Sequence, residues 1–187
     1  MTLNENTRTG FDTDKRTGPV ITLASQINQN FNLNASSYWL QNGDNAQRNL
    51  NAIYTTDQGS LYSLGYFYSK EIANQQQRYD QVTGSFVQPI NNNWRILGHA
   101  QYDIKNKVGR DYLLGINYES CCWGLSLYAR SYYNDLDNIN DPNTKAQRGI
   151  MAEITLKGLG QVNNKFASLL KNRVLGFNQV NQYWTER

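Results

Sequence analysis

Apolar and polar residues alternate with a period of two along most of the chain, a pattern that predicts strands rather than helices. Between 93 and 103, Trp94, Ile96, Gly98, Ala100 and Tyr102 share one face, and Arg95, Leu97, His99, Gln101 and Asp103 the other. In 109–118, Tyr112, Leu114, Ile116 and Tyr118 stand against Asp111, Leu113, Gly115 and Asn117. In 122–132, Trp123, Leu125, Leu127 and Ala129 oppose Cys122, Gly124, Ser126, Tyr128 and Arg130. In 147–157, Ile150, Ala152, Ile154 and Leu156 oppose Gly149, Met151, Glu153, Thr155 and Lys157. Weaker alternation predicts strands at 19–27, 31–40, 46–55, 60–69 and 79–88; in the last, only Val82 and Phe86 mark an apolar side. Strands of about 9–11 residues suit a tilted membrane crossing, whereas soluble strands are most often about five or six long.

The connections alternate too. Those at 28–30, 56–59, 89–92 and 119–121 are short, and those at 41–45, 70–78, 104–108 and 133–146 are longer. Outer-membrane barrels have short periplasmic turns and longer external loops. The expected fold class is therefore all-β: an antiparallel transmembrane β-barrel segment of about nine up-and-down strands across 19–157. Residues 1–18 read as the remnant of an external loop. Residues 158–187 read as a periplasmic or lumenal tail, with a short amphipathic helix near 164–173 carrying Phe166, Leu169, Leu170 and Val174 at helical spacing. Single-chain bacterial barrels have an even number of strands, so nine implies a piece of a larger barrel. Pro19, Pro89 and Pro142 fall at strand starts or in loops, where a missing N–H is harmless.

Composition agrees. Over 187 residues the charged fraction is 18% and the hydrophobic fraction 39%, with 13 Tyr and 4 Trp. Asn and Gln make up roughly a fifth of the chain. A barrel that alternates lipid-facing and lumen-facing residues keeps such a polar average. The aromatics cluster near strand ends, at Trp39, Tyr54, Tyr62, Tyr68, Trp94, Tyr102, Tyr112, Tyr118 and Trp123, as two interfacial girdles would require. No apolar run approaches the ~20 residues of a membrane helix. A net charge of +3, scattered along the chain, leaves no nucleic-acid footprint. One His and two Cys disfavour a protein-only zinc site. The start Met1-Thr2-Leu3-Asn4-Glu5-Asn6 has neither a basic region nor an apolar core, so no signal peptide is expected there, and an envelope protein would be mature, trimmed or a fragment.

Catalytic, cofactor-binding and metal-binding roles find no support. His99 and Asp103 lie on one strand face, about 13 Å apart along it, too far for a hydrogen-bonded dyad. His99 reads as a solvated lumen residue, and Arg95, Asp103, Arg130, Glu153 and Lys157 as ordinary lumen charges. The loop 135–141 resembles a calcium-ligand run but lacks the glycine and terminal glutamate of a calcium loop. The expectation is a protein that is not an enzyme.

The most specific stretch is Tyr118-Glu119-Ser120-Cys121-Cys122-Trp123-Gly124. It places adjacent cysteines in an expected periplasmic turn, in an oxidising compartment. Adjacent Cα atoms lie about 3.8 Å apart, whereas disulfides prefer about 4.4–6.8 Å. Either both thiols pair with cysteines elsewhere or they stay reduced.

These residues, followed by Glu153-Ile154-Thr155-Leu156-Lys157-Gly158-Leu159-Gly160, strongly resemble the carboxy-terminal end of the LptD family of lipopolysaccharide-assembly proteins. The tail Leu169-Leu170-Lys171-Asn172-Arg173-Val174-Leu175-Gly176-Phe177 looks like the family's post-barrel segment. The resemblance runs from about residue 60 to 177, and residues 1–59 fit only generically. It implies a large barrel of the bacterial outer membrane, part of Gram-negative envelope biogenesis. In such a barrel lipopolysaccharide leaves sideways between the last and first strands. It implies the plug lipoprotein LptE, the periplasmic bridge protein LptA acting through an amino-terminal jelly roll, and outer-membrane lipid as partners. Carried over by position, Cys121 and Cys122 would form two long-range disulfides with that jelly roll. The strand 147–157, with Gly149, Ile150, Met151, Ala152, Glu153, Ile154, Thr155 and Leu156, would be the last strand of the lateral gate. A porin-like channel fragment and a soluble β-sheet binding domain are the alternatives.

Overall fold

The computed structural model describes residues 17–40, 45–70, 79–133, 145–156 and 165–178. They form β1 (Thr17–Gln26), β2 (Phe31–Leu40), β3 (Asn45–Thr55), β4 (Leu61–Ser69), β5 (Tyr79–Pro89), β6 (Trp94–Asp103), β7 (Val108–Glu119), β8 (Trp123–Tyr132), β9 (Gln147–Leu156) and one helix, α1 (Lys165–Arg173). The strands make a single nine-stranded sheet in chain order, and every neighbouring pair is antiparallel. No described helix is long and apolar enough to cross a membrane. All nine expected strands are present, including the one marked only by Val82 and Phe86. The calcium-like loop 135–141 and Lys157 lie outside the described residues.

The short turns show what the asparagines do. Asn28 Oδ1 accepts hydrogen bonds from the backbone N–H of Asn30 (2.9 Å) and Phe31 (2.7 Å). Asn91 does the same for Asn93 and Trp94, both at 2.9 Å. Each side chain substitutes for a backbone turn. Two placements differ from expectation. Pro89 is the last residue of β5, opposite Arg95, rather than in the turn that follows. Pro19 lies inside β1, where the register with β2 shifts between Thr17 and Val20. The irregularity leaves the missing N–H without a ladder partner to lose.

The two faces differ as the alternation predicts. One is exposed and apolar, with Leu64, Tyr112, Leu114, Leu127, Ile150 and Ile154. At one end of the sheet this face carries a run of aromatic rings: Trp94, Tyr118 and Trp123 pack at a tilt, with successive centroids 4.9 Å apart and interplanar angles of 53° and 44°. Gly98 sits under the ring of Phe86, its partner on β5. A Cβ at Gly98 would lie 2.4 Å from that ring, so any larger residue there would have to displace Phe86.

The opposite face is buried. Ile53, Leu61, Val87, Leu97, Leu113 and Tyr128 supply an apolar patch, one residue from each strand β3 to β8. The register aligns most of them across the strands: Leu61 opposite Val87, Val87 opposite Leu97, Leu97 opposite Gly115, Gly115 opposite Tyr128. Segment 165–178 covers this patch with Leu170, Val174 and Phe177, all nearly solvent-free. Its turn closes at Gly176, whose φ of +80° is a left-handed conformation, with the space for a Cβ already taken by Ile53 and Leu61. Burying side chains of this size stabilises by about 1.5–3 kcal/mol each.

The exposed face has a direct test. Leu114 is 63% exposed, midway along β7. Leu114→Arg in the full-length protein is expected to cost about 2–4 kcal/mol of folding free energy in bilayers, as for a midplane lipid contact. A cost near zero would place this face in water.

Candidate functional site

Cys121 and Cys122 occupy the two central positions of the turn 120–123 between β7 and β8. The Ser120 N–H donates to the Trp123 carbonyl at 2.9 Å, and the Ser120 hydroxyl donates to the same carbonyl at 3.1 Å. Both cysteines are exposed thiols, with sulfurs 2.8 Å apart. Asn93 fastens the next turn alongside: its backbone carbonyl accepts from the Glu119 N–H at 2.8 Å, and its side-chain amide donates to the Glu119 carbonyl at 2.7 Å.

Below the turn lies a buried polar network. Arg95 Nε donates to Asn117 Oδ1 at 2.6 Å, and Arg95 Nη2 donates to Glu119 Oε1 at 2.9 Å. Asn117 Nδ2 then donates to Ser126 Oγ at 2.8 Å. The network joins β6, β7 and β8, and with the tilted, packed rings on the other face it fixes the hairpin that presents the cysteines. Such a network is rigid when its members are satisfied.

The two features singled out from the sequence meet here. Leu156, the last residue of β9, pairs with Trp123, which directly follows the cysteines. The pairing runs the length of β9, ending with Gln147 opposite Tyr132. Its outward residues Ile150, Ala152, Ile154 and Leu156 are exposed. The inward ones are Gly149, Met151, Glu153 and Thr155; Met151 is 38% exposed, and the others are half-buried.

The lumen charges correct the sequence expectation. His99 is buried rather than solvated, and its Nδ1 lies 2.9 Å from Ser85 Oγ on β5. Asp103 is buried 3.3 Å from Arg110 Nε and accepts from the backbone N–H of Asn106 at 2.9 Å. Asp111 receives Arg130 through both oxygens, at 2.9 and 2.7 Å, and lies 3.2 Å from Arg173 of α1. Neighbouring strands and, at Asp111, the tail residue Arg173 make this wall an interior where charges must pair. Glu153 stays half-buried. Among the described residues no group of three or more His, Cys, Asp or Glu could hold a metal ion.

Comparison with known proteins identifies the setting of this hairpin. The chain is 63% identical over 177 residues, 95% of its length, to the LPS-assembly protein LptD of Acinetobacter baumannii. It is 57% identical over all 187 residues to the LPS-assembly protein LptD of Acinetobacter baylyi, and 42% identical over 134 residues, 71% of the chain, to that of Psychrobacter arcticus. The chain belongs to the LptD family. No family model matches it. The match extends over the amino-terminal residues 1–59, which the sequence reading placed only generically. The chain spans 22%, 23% and 14% of the lengths of these three relatives.

Proposed function

We propose that this chain is the carboxy-terminal part of an outer-membrane lipopolysaccharide-assembly translocon, with β9 as the last strand of a lateral gate. The observation that carries the reading is the cysteine hairpin: two exposed adjacent thiols on a braced turn, beside the end of β9, in a sheet with a lipid-type outer face. In this reading Cys121 and Cys122 bond to an amino-terminal periplasmic domain and hold its exit over the barrel mouth. Lipopolysaccharide passes along the inner side of β9 and leaves past its free edge. LptE fills the rest of the lumen, and LptA delivers through the amino-terminal domain. The step is transport, with no covalent chemistry and no cofactor.

The support is physical. β9 pairs with β8 on one side, and its other edge has no partner among the described residues. An open edge is costly in lipid, so a further strand of the full-length protein must close it. The test uses a photo-crosslinking residue in the full-length protein in cells. At the inward position Met151 it is expected to give a lipopolysaccharide adduct, and at buried Leu97 none. No adduct at Met151, or ion conductance by the purified full-length protein independent of its oxidation state, would favour a porin-like channel instead.

A further inference from the structure

The cover supplied by segment 165–178 has sharp limits. Every strand from β3 to β8 contributes a buried apolar side chain to it. Among the described residues, β1, β2 and β9 contribute none. Along the apolar row Leu61, Val87, Leu97, Gly115 and Tyr128, the next partner is Met151 on β9, and there exposure rises from 6% at Tyr128 to 38%. On the other flank, Asn32 of β2 lies opposite Ile53, and that strand is half-exposed along its length. Ion pairs and hydrogen bonds add further ties among β6, β7, β8 and α1. Asp111 of β7 joins Arg130 of β8 to Arg173 of α1. Arg95, Asn117 and Ser126 tie β6, β7 and β8.

We infer that the docked tail is an internal brace: it makes β3–β8 one rigid wall and leaves the β8–β9 ladder as the hinge line of the last strand. Moving any of β3 to β8 against its neighbour opens an apolar core and separates buried charges. Moving β9 opens none of that apolar core and exchanges an outward apolar row that faces lipid in either position. Local opening follows the density of buried apolar contacts, so β9 belongs at the low-stability end. That this motion serves release of a lipid rests on the gate reading above; the mechanical division does not.

Hydrogen exchange in the full-length protein in bilayers tests it, with lipopolysaccharide export measured on the same variants. In the wild type, amides of β9 are expected to exchange about ten times faster or more than those of β6 and β7. Leu170→Ser with Phe177→Ser undocks the brace. It is expected to speed exchange in β4–β7 by about tenfold and to leave β9 unchanged. Arg173→Gln, at a half-exposed position, is expected to give a smaller change of the same pattern and covers the case in which the double variant does not fold. A β9 as protected as β6, or a variant that changes β6 and β9 alike, overturns the inference. Export that fails to respond while the exchange pattern holds would instead count against the gate reading and leave the brace standing.

Discussion

Replacing Cys121 and Cys122 with serine in the full-length protein is expected to abolish a shift on non-reducing electrophoresis and to impair lipopolysaccharide export severely. The hairpin geometry makes the loss specific. The cysteines are exposed at the two central turn positions, and Ser120, Asn93 and Arg95 hydrogen-bond to Trp123, Glu119 and Asn117. Serine therefore leaves the hairpin intact, and the barrel itself is expected to fold with unchanged heat-modifiability. What disappears is attachment. Each long-range bridge closes a large loop of chain and is worth about 2–5 kcal/mol in the usual model. Single replacements are expected to be milder, because one remaining bridge still holds the domain over the same turn. If the double variant migrates like the reduced wild type and still exports normally, the cysteines do not perform the role proposed for them.

The division of the chain into strands was legible because each strand must satisfy two solvents. Lipid on one side and the lumen on the other write a period of two into the sequence, and Trp94 to Tyr102 and Ile150 to Leu156 show it plainly. The cysteine turn was legible for a similar reason, since strand parity alone assigns its end of the sheet. The inner face was not. Leu61, Val87, Leu97 and Leu113 each stand alone among polar neighbours in their own strand, such as Arg95 and His99 around Leu97. They become a patch only when the register sets them side by side. The helix carried its own signal in Leu169, Leu170 and Val174, without indicating what it packs against. The polar network has the same origin: Arg95 meets Asn117 and Glu119 at separations of 22 and 24 residues, a relation that composition and local spacing do not encode. His99 and Asp103 look like wet lumen groups in the sequence because their partners, Ser85 and Arg110, come from neighbouring strands.

The covering tail makes Asp111 a sensitive charge. Asp111 is 3% exposed, and its carboxylate serves two guanidinium groups, Arg130 through both oxygens and Arg173 at 3.2 Å. The other buried carboxylate of this wall, Asp103, is held by Arg110 and Asn106. Asp111→Ala would leave Arg130 largely buried opposite the apolar tail with its charge uncompensated. Breaking a buried pair in this way costs about 3–5 kcal/mol. The same substitution also releases Arg173, so the tail loses its polar anchor along with the wall. In the full-length protein in bilayers, urea titration is expected to show a loss of that size, nearly independent of salt because the pair is shielded. Arg173→Gln removes the more exposed partner, 41% accessible, and leaves the Arg130 pair whole. Its cost is expected to stay below about 1 kcal/mol and to shrink as salt rises. Equal costs for the two variants would mean that Asp111 is hydrated in the membrane-embedded protein and that the tail does not lie against this wall.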